Sequence, residues 1–372
     1  MEPIVGCRQD LDLSRFGYLR QMQVYSAPHA RITALGGALP DRVVDNEELV
    51  SMLDAPAELK KRLPDLIGRT TGIRTRRMAD RSTAPSDLAV VAAREALDSA
   101  GLQPDDIDTL IFASTDTDVI EPATANILQK KLGIPRVNAF DVRNACNSIL
   151  QAMNVANALV SAGGARRILI AGAEIGTFWA SREVTDAEDL RLKIGGLTLG
   201  DAGAALVIEP SDGRSGMTEI NLLSMGEHWE MCHIPEDTAW RHNGRGIHGW
   251  FYLNMAELVD LARPTTIEYF RDYFRYRHDV CGETHPPDSL AKFIPHQISK
   301  VLIDELVGAT ARVRPGVVCV SADEWGNIGS SSIPLTLQRA MKEDGLRFGC
   351  GAEVMLFGAA SGYSLGHIRV RL

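Results

Sequence analysis

The strongest constraint on this chain is an internal echo of long period. Polar and small residues in Asp141-Val-Arg-Asn-Ala-Cys146-Asn-Ser-Ile-Leu give way to an apolar pattern of helical spacing, which breaks at Gly163-Gly164 before the strand Arg167-Ile-Leu-Ile-Ala-Gly172. The same plan returns in Asn327-Ile-Gly-Ser-Ser-Ser-Ile-Pro-Leu-Thr-Leu-Gln-Arg-Ala340, followed by Gly345 and the strand Glu353-Val-Met-Leu-Phe357. Cys146 lies 17 residues before Gly163, and Asn327 lies 18 before Gly345. An apolar strand precedes each copy, Asp108 to Ser114 in one and Asp288 to Pro295 in the other. Such a repeat predicts an α/β fold of two similar halves, with ligand chemistry at the strand ends where they meet. Residues 1–29 read as an irregular N-terminal extension, 30–210 as the first half and 211–372 as the second.

Composition narrows the class of partner. The chain has 372 residues, 45% hydrophobic and 23% charged, which suffices for a sizeable core. A net charge of −9 and a pI near 5.5, with no long run of Lys or Arg, argue against a nucleic-acid binder. Six scattered cysteines without a CxxC pair suggest neither a zinc ribbon nor a disulfide framework, so no metal is expected and a reducing cytoplasm fits. The N-terminus lacks a signal-peptide pattern and no apolar run has membrane-spanning length, so a cytoplasmic protein without membrane insertion is expected.

Three residues invite a chemical reading. Cys146 is placed in the first turn of a helix, where free backbone N–H groups and the helix dipole favour thiolate over thiol. His296 follows an apolar strand directly in Phe293-Ile-Pro-His-Gln-Ile-Ser299, and Asn327 occupies the turn before the later helix. Each alone suits a structural role, the Asn as a helix cap. Together, in a duplicated α/β fold, they converge on one cleft.

At these residues the chain resembles the ketoacyl synthase III branch of the thiolase superfamily. The resemblance is carried by Asp-Val-Arg-Asn-Ala-Cys146, Ile-Pro-His296-Gln and Gly-Asn327-Ile-Gly-Ser-Ser-Ser-Ile-Pro. It extends to Thr71-Gly-Ile-Arg-Thr-Arg-Arg-Met-Ala79, Leu199-Gly-Asp-Ala-Gly-Ala-Ala205 and Phe357-Gly-Ala-Ala-Ser-Gly-Tyr-Ser-Leu-Gly366, covering residues 30 to 372. It implies a five-layered α-β-α-β-α thiolase fold, a homodimer, and coenzyme A or acyl-carrier-protein thioesters as substrates with no separate cofactor. Cys146 would then carry an acyl group, with the oxyanion held by the N–H groups of Cys146 and Gly362. His296 and Asn327 would stabilise the enolate of the second thioester in a Claisen condensation. Degradative thiolases resemble this layout but carry a second cysteine where this chain has Ser361-Gly362, and Cys350 is a poor substitute.

The departures bear on which condensation. The initiating synthases carry a Trp and an Arg where this chain has Leu66 and Thr70, so adenine stacking on that Trp is lost. Arg69, Arg74, Arg76 and Arg77 remain as candidates to attract nucleotide phosphates or an acidic carrier protein. Glu121, in Val-Ile-Glu121-Pro-Ala-Thr-Ala, is similar to the segment of OleA-type condensing enzymes in which a glutamate reaches the partner's site as a base. The alternative is a solvated loop residue before Pro122. Between the halves, His228, Cys232, His233, His242 and His248 fit no zinc spacing, and Trp229, Trp240, Trp250 and Phe251 suggest a wall of the acyl or pantetheine channel. The expected function is acyl loading on Cys146 and carbon–carbon bond formation with a second acyl or malonyl thioester, in lipid or secondary metabolism. The alternatives are an ordinary decarboxylative synthase III, an ester- or amide-forming acyltransferase, and a noncatalytic subunit of a heterodimer.

Overall fold

The computed structural model describes residues 12–235, 249–310, 313–314 and 316–372. One five-stranded sheet comes entirely from residues 30–210, in the order Ala30–Ala38, Asp201–Pro210, Ile168–Ile175, Thr109–Ala113 and Asn138–Val142. Its first two junctions are antiparallel and its last two parallel. The second sheet repeats that pattern: Gly216–Ser224, Ser364–Arg371 and Glu353–Ala360 run antiparallel in turn, and Lys292–Pro295 joins in parallel. A parallel bridge from Phe293 to Val318 stands where the fifth strand of the first sheet stands. The duplication seen in the sequence is thus also a duplication of strand order and direction.

The layers follow from which strand faces are apolar. Thr109–Ala113 is buried at every position, and so is all but the last residue of Ile168–Ile175. Strands buried on both faces need cover on both sides. The repeated helices, Ser148–Ser161 and Ser332–Asp344, fill the space between the sheets: Leu150 and Met153 from one and Ile333 and Leu337 from the other share a core with Ile170, Leu206, Leu356 and Ile368. Pro85–Ala100 and Thr124–Leu132 cover the outer face of the first sheet, while Met255–Asp279 and Lys300–Thr310 cover that of the second. The result is the five-layered α-β-α-β-α thiolase fold. Its close packing depends on a few small residues. A Cβ at Gly36 would lie 2.1 Å from the carbonyl oxygen of Ala92, so the alanine-rich helix Pro85–Ala100 reaches the sheet only across glycine.

From Asp12 onward, the N-terminal segment departs from its reading as an irregular extension. Leu13, Phe16, Leu19 and Met22, spaced three apart, are all buried against Tyr269, Tyr273 and Tyr276 of the long helix, and Gln23–Val24 pairs antiparallel with Gly216–Ser224. The segment belongs to the core of the second half because its apolar side chains form one stripe. That stripe repeats every three residues and is too short to register as a helix, and the local structure at Gly17–Leu19 is a single 3₁₀ turn.

Candidate active site

Cys146 sits at the end of a tight turn out of the edge strand Asn138–Val142. Ala145 has φ of +47°, a left-handed conformation that costs an alanine about 1–2 kcal/mol. The turn is held by the Ser148 hydroxyl, which donates to the Ala145 carbonyl at 2.7 Å and accepts the Asn144 N–H at 2.8 Å. The helix begins at Ser148 with Asn147 as its cap, so Cys146 precedes the first turn rather than lying in it. The expected bias toward thiolate is reversed as well. Burial, then the nearby Glu174, Cys232 and Asp116, push the Cys146 thiol well above its usual range. At rest the group is a neutral thiol.

His296 ends the strand Lys292–Pro295, its N–H donating to the Phe357 carbonyl at 2.8 Å. Its Nδ1 is 2.7 Å from the Ser332 hydroxyl at the start of the second central helix. Burial pushes the imidazole down to about 4, so it is neutral at physiological pH. Asn327 is fixed twice by its backbone: its N–H donates to Thr198 at 2.8 Å and its carbonyl accepts from Gly200 at 2.9 Å. Its side-chain Oδ1 accepts from the Gly329 N–H at 3.1 Å, which leaves the amide NH₂ free to donate. Cys146, His296 and Asn327 line one cavity of about 100 Å³. A neighbouring cavity of about 300 Å³ shares Cys146 and Asn327 and includes Gly362, at φ of +78° in the turn between Glu353–Ala360 and Ser364–Arg371.

The smaller cavity continues as an apolar pocket walled by Phe251, Leu253, Leu258, Leu302 and Phe357. Trp229 and Phe251 line the larger one, whereas Trp250 lies outside both, with the Lys193 ammonium 5.3 Å from its ring centre. Trp240, His242 and His248 fall outside the described residues. Among the arginines, Arg69 is exposed on the helix Ala57–Thr71 and Arg74 pairs with Asp323 at 3.0 Å. Arg76 corrects its reading as a surface cation. It is fully buried, donating to Asn46 Oδ1 at 2.8 Å and the Leu197 carbonyl at 3.0 Å, and desolvation lowers it to about 10. Arg77 is half-buried on the carbonyls of Pro40 and Asp41. Glu121 follows the exposed Ile120, is itself exposed, and lines neither Cys146 cavity of its own chain.

Sequence reasoning missed a second tier. Glu174 is the penultimate residue of the strand Ile168–Ile175 and accepts hydrogen bonds from the Ser330 hydroxyl at 2.6 Å, the Ser330 N–H at 3.2 Å and the Thr115 N–H at 3.1 Å. It thereby ties the loop bearing Asn327 to the first sheet. A Cβ at Gly329, where φ is +53°, would lie 2.6 Å from Glu174 Cγ, so glycine is required there. Burial and then Asp116 raise the Glu174 acid to about 7, and burial raises Asp116 despite hydrogen bonds from Trp179 Nε1 and the Ile175 N–H. Cys232 lines both cavities and lies 3.0 Å from the Ser361 hydroxyl. The one local signal for Glu174 is an acid near the end of an otherwise apolar strand.

A half-buried thiol with a buried imidazole and carboxamide, at the meeting of two thiolase-type halves, defines a condensing enzyme of the transferase class. The family model for 3-oxoacyl-[acyl-carrier-protein] synthase III matches residues 140–226, and the model for its C-terminal region matches residues 284–372. The β-ketoacyl-[acyl-carrier-protein] synthase III of Methylococcus capsulatus is 30% identical over 351 residues, covering 92% of this chain and 99% of that protein. The chain belongs to the ketoacyl synthase III family, in the thiolase superfamily. Among solved structures, the Aquifex aeolicus 3-oxoacyl-[acyl-carrier-protein] synthase III matches with a TM-score of 0.76 at 26% identity, covering 92% of this chain and all of that one. A Xanthomonas campestris OleA variant with one glutamate replaced by alanine matches with a TM-score of 0.77 at 26% identity, covering 93% and 98%.

Proposed function

We propose that the enzyme joins two acyl thioesters by a Claisen condensation without decarboxylation, working as a homodimer on thioesters of coenzyme A or a carrier protein. The observation that carries condensation at this site is the shared cavity of Cys146, His296 and Asn327, and the choice against decarboxylation rests on Glu121. In the first half-reaction the Cys146 sulfur attacks the acyl carbonyl, with the N–H groups of Cys146 and Gly362 receiving the oxyanion. The carbon–sulfur bond to the donor breaks, and the thiol proton ends on the departing thiolate. In the second, a carboxylate takes the α-proton of the next acyl thioester. The enolate oxygen accepts hydrogen bonds from His296 Nε2–H and the Asn327 amide, and the α-carbon attacks the Cys146 thioester. A Ser332 hydroxyl donating to Nδ1 places the imidazole proton on Nε2, as this step requires.

Glu121, supplied by a second copy, is the proposed base. Support comes from the likeness to OleA, which has been solved with exchanges at one glutamate, one cysteine and one histidine. In that protein the exchanged glutamate lies one position further from the exchanged cysteine than Glu121 lies from Cys146. The second reading is decarboxylative condensation with a malonyl carrier thioester, favoured by the relatives' name and served equally by His296 and Asn327.

Glu121→Gln separates the two. Under the preferred reading the variant still acquires an acyl adduct on Cys146 by intact-protein mass spectrometry, but product formation falls at least about 10²-fold. Unchanged turnover with a malonyl donor selects the decarboxylative reading instead. His296→Ala and Asn327→Ala each lower condensation by about 10²–10³-fold, read by single-turnover product analysis from the pre-acylated enzyme. Full product formation from pre-acylated variants would remove both residues from the enolate step.

A further inference from the structure

Arg143 stands three residues before the nucleophile and lines the 300 Å³ cavity with it. Its guanidinium is anchored from one side only, Nη2 donating to the Thr115 carbonyl at 3.1 Å, and it has no ion-pair partner among the described residues. The other titratable groups on that cavity are the carboxyls of Asp116 and Glu174, the thiols of Cys146 and Cys232, and the His233 imidazole. Asp116 is engaged by Trp179 and Ile175, and Glu174 by Ser330 and Thr115. Arg143 is therefore the only permanent cation among the described lining residues; it is exposed, its charge acts on the Asp116 carboxyl from a distance, and no carboxylate among the described residues forms an ion pair with it.

Glu121 has the opposite deficit. It is exposed with no ion pair among the described residues, and it follows Val119 and Ile120, which are 43% and 88% exposed. Beside the Cys146 cavity, and sharing Asp116 and Trp179 with it, lies a wider cleft of about 720 Å³. Phe178, 74% exposed, forms part of its wall. A loop with two apolar side chains and a carboxylate thus matches a mixed cleft, with Met78, Phe178 and Trp179 beside the charged Asp80, Arg81 and Arg182, that adjoins the cavity of the Arg143 guanidinium.

We propose that Arg143 pairs with Glu121 of the partner subunit, delivered by residues 119–122 of a second copy, and holds that carboxylate ionised beside Cys146. This rests on the reading of Glu121 as the base. A carboxylate brought next to Asp116 and Glu174 without a cation is driven toward its protonated form, which cannot accept the α-proton. The guanidinium reverses that bias and aims the carboxylate through a charge-assisted hydrogen bond. Arg143 is a positioning residue here. The same charge disfavours the decarboxylative alternative, because a malonyl carboxylate bound to arginine is stabilised in the ground state against loss of CO₂.

The test compares Arg143→Ala, Arg143→Lys, Glu121→Gln and the exchanged pair Arg143→Glu with Glu121→Arg, using two unactivated acyl thioesters and, in parallel, a malonyl thioester. Arg143→Ala should keep the Cys146 adduct, lose at least about tenfold in condensation at neutral pH, and shift the acidic limb of kcat/KM upward by about one pH unit. Arg143→Lys should recover most of both, and the exchanged pair should outperform either of its single variants. Melting temperatures confirm that each variant is folded. A normal pH profile for Arg143→Ala alongside an inactive Glu121→Gln overturns the pairing alone. A rise in KM restricted to carboxylated thioesters also overturns it, in favour of substrate recognition. Normal turnover of Glu121→Gln brings down the base and the pairing together.

Discussion

Replacing Cys146 by alanine abolishes the acyl adduct and lowers turnover by at least about 10³-fold, the scale seen when a covalent nucleophile is removed. The adduct is read by intact-protein mass and the turnover by product analysis. The fold should survive, because the turn is held by the backbone groups of Asn144 and Ala145 on the Ser148 hydroxyl and not by the sulfur. The magnitude follows from how little else in the site can form a covalent intermediate. Cys232 lines the same space, but its sulfur is engaged with the Ser361 hydroxyl at 3.0 Å. An equal adduct on the alanine variant would place the acyl group elsewhere, with Cys232 the first site to sequence.

Glu219→Gln costs about 3–5 kcal/mol of stability, measured as a lower denaturant midpoint at neutral pH. Glu219 is 1% exposed on the sheet face under the long helix. It pairs with Arg277, accepts the Tyr273 hydroxyl at 2.8 Å and faces His367, while Arg369 donates to Tyr273 at 3.0 Å and to Glu353 at 3.0 Å. Burial alone would raise this carboxyl, but Arg277, His367 and Arg369 overcome it and hold the group far below the usual carboxylate range. Its stabilising contribution is therefore complete above the unfolded value, near 4.3, and fades as pH falls toward the depressed folded value. The amide mimics the protonated acid. The difference between variant and parent should persist at pH 5 and above and shrink only below about pH 4; a difference independent of pH would point to lost packing instead of lost charge.

The duplication was legible because it is written in short local signals. Apolar runs end at glycines such as Gly345, which has a left-handed φ of +65°, and the two helices follow matching small-residue turns. Cys146, His296 and Asn327 were legible for the same reason, each standing at a junction between regular elements. Glu174 and Asp116 were not, because their meeting depends on strands and loops far apart in sequence. Arg76 misled because an arginine beside three others reads as solvated, whereas Asn46 and the Leu197 carbonyl satisfy it inside the protein. The state of the Cys146 thiol misled through a competition of terms. A helix start favours the thiolate, but desolvation and two neighbouring carboxyls outweigh it. The described residues contain no helix long and apolar enough to cross a membrane.

An acylation and chase followed by intact-protein mass spectrometry tests the central claim most directly. The enzyme is exposed to a panel of acyl thioesters, the excess donor is removed, and a second unactivated thioester is added. The account predicts one acyl adduct mapping to Cys146, which disappears on the chase as a β-ketoacyl thioester appears in equal amount. No adduct with any donor, or an adduct that the second thioester leaves untouched while only water or an alcohol releases it, would contradict the account.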